Sequence, residues 1–264
     1  MKKNITNSDY HSHKALGSSA IKLVPQSLAK FKAYIDGELF HETSALKFGQ
    51  LIHEVILEDG LNTLAVGPDA DKRTKVWKDF VAKNDGKQIV TPKEFETLRQ
   101  MHKSLYDNKN CSLVLKGGEA EQSFFWEHDN IEYKARPDYY VQRDQGDYIV
   151  DYKSITGSDF SDIQRTMGKY AYDIQAAHYI RVVSECTGRP VRDYVWIFQE
   201  KEAPYESVVV KAPAEMLERA ATDWEHIHEL IKKAKETGEY PGKYPGIVEI
   251  DLPGWAVEKR WGNE

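Results

Sequence analysis

The feature that most constrains what this chain can fold into is a change of period near its middle. Before about residue 118 apolar residues recur at helical spacing, whereas from 121 to 153 they alternate and turn signals punctuate them. Glu121, Ser123 and Phe125 alternate with Gln122, Phe124 and Trp126, and Asp129-Asn130 marks a turn. A second strand is predicted over 131–140, a second turn at Asp144-Gln145-Gly146-Asp147, and a third strand over 148–153. The three strands are expected to form an antiparallel meander.

Helical patterns surround this block. Ser18 or Ser19 can cap a short helix that Pro25 interrupts, after which 26–35 resumes the pattern and Gly37 stops it. A longer helix over 44–57 carries Leu46, Phe48, Ile52, Val55 and Ile56, with Gly49 and His53 four residues apart on one face. The charged segment 67–87, with a short helix through Val76, Trp77, Phe80 and Val81, is expected to be a solvated lobe. Thr91-Pro92-Lys93-Glu94 is a capping box with proline at the first helical position, opening a helix to about Tyr106. Beyond the strands the pattern predicts one helix over 159–186 closed by Gly188, strands over 191–199 and 207–211, and a last helix from Pro213 to Lys235. The expectation is a single α/β domain: a mainly helical part over 1–118, a sheet with its helix over 119–211, and a helix and tail over 212–264.

Composition narrows the class. With 264 residues and 41% hydrophobic content the chain can bury one sizeable core. No apolar run approaches the ~20 residues that span a bilayer, and the start MKKNITNSDYHSHK has no apolar stretch behind its lysines, so no membrane association and a cytoplasmic location are expected. Cys111 and Cys186 are far apart and outside any CxxC pair, which argues for two reduced, buried thiols and against a zinc knuckle or iron–sulfur cluster. A net charge of −6 argues against a protein that coats nucleic acid electrostatically, but not against an enzyme with a local basic groove.

The chemistry is expected at the end of the meander. Strand residues advance about 3.3 Å each and alternate faces, so Asp151 and Lys153 project to one side roughly 6.6 Å apart while Tyr152 points away. Asp-x-Lys alone is an ordinary edge-strand ion pair. Here Arg136-Pro137-Asp138 lies thirteen residues before Asp151, on a strand joined to it by a short turn. Two carboxylates and an ammonium can then converge. Phosphodiester hydrolysis needs such a set: magnesium takes one or two protein carboxylates, here Asp138 and Asp151, and leaves the rest of its shell to water and phosphate. Lys153 would orient the attacking water, assist its deprotonation or stabilise phosphoryl charge. His53 has two readings, a satisfied helix residue or a metal ligand; Gly49 one turn earlier points to a close packing approach there. Gln175 and Tyr179 share a helical face with Tyr172, as an ordinary amphipathic helix would also place them. No GxxxxGK[ST] loop is present, so no ATP-driven motor is expected.

Taken together, Gly49-x-x-x-His53, Arg136-Pro137-Asp138, Asp151-Tyr152-Lys153 and Gln175-x-x-x-Tyr179 resemble the RecB-like branch of the PD-(D/E)XK nucleases, and most of all the nuclease domain of RecE-type exonucleases (exonuclease VIII). The likeness runs from Tyr10-His11 through Ala120-Glu121 and Phe125-Trp126 to Leu252-Pro253-x-Trp255-Ala256. One departure is Asp151, where the family motif often has glutamate. The resemblance implies a restriction-endonuclease-like α/β core with a central mixed sheet flanked by helices. It implies a Mg2+-dependent exodeoxyribonuclease on linear duplex DNA, with Mn2+ able to substitute, that degrades the 5′-ended strand and leaves a 3′ overhang for a single-strand annealing protein in phage-type recombination. It makes His53 a metal ligand with Asp138 and Asp151, and has Gln175 and Tyr179 shape the site or touch DNA. Glu121, placed on the first strand, is an accessory metal ligand or a charged strand residue; Arg136 contacts a phosphate or a nearby carboxylate. A ring-shaped homo-oligomer, tetramer or trimer, is implied, with the aromatic tail from Tyr240 through Trp255 and Trp261 as part of its contact or packed on its own subunit. Competing readings are a structure-specific endonuclease, a Cas4-like enzyme, which would need four cysteines, and a catalytically silent DNA-binding module, which would be expected to have lost one of the three charged residues.

Overall fold

A computed structural model describes residues 2–3, 5–39, 44–57, 60–244 and 246–258. Its N-terminal part contains β1 (Lys2–Lys3), α1 (Asn7–Ser12), α2 (Ser18–Ile21), α3 (Leu28–Ile35) and α4 (Ser44–Leu57). Pro25 falls in the turn between α2 and α3, where its missing N–H costs nothing. Ser27 Oγ accepts from Lys30 N at 3.3 Å, and Gly37 leaves α3 at φ +84°. The side chains of Leu46 and Phe48 on α4 lie outside the described residues. The charged lobe holds α5 (Lys75–Lys83) between β2 (Ala65–Val66) and β3 (Ile89–Val90), which pair in parallel. Trp77 is its buried anchor. The capping box is formed at α6 (Pro92–Asp107), with Glu94 N donating to Thr91 Oγ1 and Thr91 N to Glu94 Oε2. A further short helix, α7 (Lys109–Val114), follows, capped by Asn108.

The expected three-strand meander is corrected: the chain switches between two sheets, twice. First β4 (Glu119–Ala120) gives way to β5 (Ser123–His128) through a bend at Glu121, whose φ is +52°; Glu121 is therefore at a strand break and not within a strand. Then the expected strand over 131–140 divides into β6 (Ile131–Ala135) and β7 (Tyr139–Val141) at Arg136-Pro137-Asp138. Pro137 cannot donate to a ladder, which suits it to a break. β1, β5 and β6 form one sheet. The main sheet has the order β10-β9-β8-β7-β4, with β8 (Asp147–Ile155), β9 (Val191–Glu200) and β10 (Ser207–Lys211). β8 pairs in parallel with β9, and the other neighbours are antiparallel, so the sheet is mixed.

Between β8 and β9 the expected single helix is also two: α8 (Phe160–Tyr170) and α9 (Tyr172–Thr187), separated by Ala171 at φ +48°. Nothing in the sequence marks this break, since neither glycine nor proline stands at 171. Gly188 ends α9 as expected, and α10 (Ala214–Thr237) and α11 (Gly254–Glu258) complete the order.

β8 is central and packed on both faces. Ile149 belongs to one apolar cluster with Trp196, Val182 and Trp224, between the sheet and α9 and α10. Tyr148, Val150 and Tyr152 belong to another, with Ile52, Leu98 and Leu105 of α4 and α6. Each fully buried large apolar side chain contributes about 1.5–3 kcal/mol, so the register of β8 is strongly held. Tyr240 stacks near Phe31, and Pro241 O accepts from Ala29 N. Beyond them Tyr244, Ile247, Val248, Ile250, Leu252 and Trp255 are exposed. Trp261 lies outside the described residues. Cys111 is buried and Cys186 half-buried, both as thiols. Among the described residues no helix is long and apolar enough to cross a membrane.

Candidate active site

The alternation on β8 places the charged residues as their spacing requires: Tyr152 enters the α4 side, while Asp151 and Lys153 meet α9. The β7–β8 register pairs Tyr139 with Val150, which carries Asp138 to the position opposite Asp151. Asp138 Oδ2 accepts from Tyr152 N at 2.6 Å, so the first carboxylate is fastened to the strand bearing the second. Asp151 is fully buried; its Oδ1 accepts from Gln175 Nε2 at 3.0 Å and its Oδ2 forms an ion pair with Lys153. That Oδ2 is enclosed, with Lys153 as its charged partner.

His53 arrives from α4, its ring edge-on to Tyr152 and its Nδ1 3.3 Å from Asp138 Oδ1. The close approach expected at Gly49 is not found among the described residues: a Cβ there would meet none of their atoms within 4 Å. Glu121 N donates to Asp138 O, bringing the two sheet-switching bends together. As a result ligand atoms of His53, Glu121 and Asp138 lie within 4.8 Å of one another. A mixed carboxylate and imidazole set of this size fits a divalent cation.

The charges are coupled. Burial alone would raise the Asp138 carboxyl, but His53 first, then Lys153 and the Tyr152 N–H, hold it below the ordinary range. For Asp151 burial dominates: it pushes the carboxyl up against Lys153, with Asp138 adding to the rise. Burial disfavours charge on His53 and Lys153, yet Asp138 outweighs it for the imidazole, and Asp151 then Asp138 for the ammonium, so both are raised.

Arg136 is committed to the fold. It donates to Ser123 Oγ at 2.8 Å, Asn7 Oδ1 at 3.1 Å and Ile5 O at 2.8 Å, lies over the Tyr10 ring, and stands 3.9 Å from Glu121 Oε2. Gln175 reaches Asp151 directly, whereas Tyr179 is buried one turn further along α9, in contact with Ser18. Lys22, just past α2, carries no motif in the sequence, yet its Nζ is 3.5 Å from Gln175 Oε1 and 5.8 Å from the Tyr172 ring centroid. Burial, then Lys153, lowers it to about 8.

Residues 17–250 match the PDDEXK-like domain of unknown function (DUF3799). This chain belongs to that family. PDDEXK-like proteins are nucleases that use divalent metals, and the central mixed sheet with helices on both sides is their architecture. A crystal structure from Eubacterium rectale described as a "Putative exonuclease" is similar at TM-score 0.61, with 13% identity over 97% of this chain and 98% of that one, and supports the same fold. SSO0001 aligns over 83% of this chain and 81% of that one, at 11% identity and TM-score 0.36, too low to establish a shared topology. No curated protein sequence matches significantly.

Proposed function

We propose that this PDDEXK-like nuclease is a Mg2+-dependent exodeoxyribonuclease of linear double-stranded DNA. What carries the reading is the convergence of Asp138, Asp151 and Lys153 where β7 and β8 meet, with His53 and Glu121 on the same side of Asp138. His53, Glu121 and Asp138, whose ligand atoms lie together, are the residues that would hold the metal, with Asp151, held by Gln175 and Lys153, as the further carboxylate beside them. When bound, the metal supplies positive charge to the phosphoryl oxygens and lowers the pKa of water. The protein's own part is positioning. Gln175 orients Asp151, the Tyr152 N–H orients Asp138, and Lys153, kept charged by both carboxylates, donates to the phosphate or the attacking water. Water oxygen bonds to phosphorus and releases a proton to solvent, the P–O bond to one sugar breaks, and the departing oxygen takes up a proton from solvent.

The finer reading is 5′-to-3′ degradation that leaves 3′ overhangs for a single-strand annealing partner in phage-type recombination, carried out by a ring-shaped tetramer or trimer. It is supported by the RecE-type order and spacing of motifs and by the description of the E. rectale protein as a "Putative exonuclease". Linear duplex labelled separately at each end tests it. Digestion in Mg2+ should release the 5′ label first and spare closed circles, whereas circles cut at a comparable rate would make the enzyme an endonuclease. Asp138→Asn, Asp151→Asn and Lys153→Ala should each slow digestion by roughly two to four orders of magnitude; near-normal digestion by Lys153→Ala would overturn its assignment.

A further inference from the structure

We propose that Lys22 is a second phosphate-binding cation of this site, taking a phosphate group of the bound DNA strand beside the one held at Lys153. The inference rests on reading the site as a DNA phosphodiesterase. Its observation is a pair of ammonium groups on one aromatic ring: Lys153 Nζ lies 5.1 Å and Lys22 Nζ 5.8 Å from the Tyr172 centroid. Lys153 has Asp151 as counter-ion. No carboxylate of a described residue stands within ion-pair distance of Lys22, whose polar contact is the neutral Gln175 Oε1 at 3.5 Å. Lys22 feels Lys153 as a like charge, while Asp151 and Asp173 act on it from beyond ion-pair distance, so its donors are left for a further anion that both ammonium groups would favour.

The surrounding geometry keeps Lys22 in place. Gln175 gives its N–H to Asp151, because a carboxylate accepts only, and so turns its oxygen toward Lys22. One amide therefore bridges the Asp151 carboxylate and the Lys22 ammonium. Ser18, at the start of the short helix that ends just before Lys22, contacts Tyr179 and fastens α2 to α9. Lysine, as a flexible point charge with three donors, suits a phosphate whose exact approach is set by other groups.

The test is binding of the full chain to short duplexes, with 5′-hydroxyl or 5′-phosphate ends, in EDTA over a range of salt. Removing one cation that pairs with a phosphate lowers the slope of log affinity against log salt by about 0.7–0.9. Lys22→Gln should show that drop and raise KM for Mg2+-dependent digestion, while Lys22→Arg should keep the wild-type slope. A drop on both duplexes assigns an internal phosphodiester, and a drop on the phosphorylated duplex alone assigns the terminal phosphate. An unchanged slope and KM in a folded Lys22→Gln protein would overturn the proposal. Should that variant not fold, reductive methylation of the wild type decides: DNA should protect Lys22, and undiminished labelling would overturn the proposal. Failure of the wild type to hydrolyse DNA in Mg2+ or Mn2+ would instead sink the nuclease reading itself.

Discussion

His53 lies at the centre of the residue-scale expectations, because it touches Asp138 and belongs to the set that fits a cation. Removing one ligand weakens a metal before it abolishes chemistry. His53→Ala should therefore raise the Mg2+ concentration needed for half-maximal digestion and regain part of its rate at high metal or in Mn2+; an unchanged metal dependence would remove His53 from the ligand set. The same residues set a pH dependence in the metal-free protein. Asp151 is an acid with a raised folded pKa, so its contribution is complete below its ordinary value of 3.8 and is lost as pH rises through the folded value. His53 is a base with a raised folded pKa, so its contribution is complete below its ordinary 6.5 and is also lost as pH rises. Asp138, shifted down, acts the other way but only in strong acid. Melting temperatures in EDTA should thus fall as pH rises above about 6.5 through His53, beyond the loss from Asp151 that sets in above 3.8, with a flatter profile there in His53→Ala and with Mg2+ offsetting the fall.

At the scale of elements, the breaks position the site. Had 131–140 continued as one strand, Asp138 would be a ladder residue; the break at Pro137 frees its side chain to reach Tyr152 N and His53. The matching bend at Glu121 brings a third ligand candidate to the same point. The break at Ala171 starts α9 so that Tyr172 and Gln175 face Lys153 and Asp151. A left-handed alanine costs about 1–2 kcal/mol, and glycine there gives part of this back to unfolded-chain entropy. Ala171→Gly should therefore stabilise the protein by roughly 0.5–1 kcal/mol, read as a higher urea midpoint with an unchanged slope; a lower midpoint would mean that packing at the break outweighs the backbone strain.

For the whole molecule, the tail divides in two. Tyr240 and Pro241 pack on their own chain, while six large apolar residues between Tyr244 and Trp255 are exposed. Exposed apolar residues of this kind are the ones a second copy would cover in the proposed ring. If the proposed ring uses it, light scattering at micromolar concentration should give a mass three or four times 30.3 kDa, and truncation after Lys243 should reduce it to the monomer. A monomeric mass for the full chain, with distributive digestion in the presence of competitor DNA, would rule the ring out.

Local pattern was enough to determine what depends on a few neighbouring residues: the capping box at Thr91, the stops at Gly37 and Gly188, strands β8 to β10, and the shared face of Asp151 and Lys153. These follow from side-chain periodicity and terminal hydrogen bonds, which are short-range. The two-sheet division, the left-handed Ala171, the burial of Arg136 and the approach of Lys22 to Gln175 were decided by tertiary structure. Each depends on contacts between residues distant along the chain. Lys22 and Gln175 are separated by 153 positions, and no local preference carries information about an ammonium that becomes favourable only beside a particular helix.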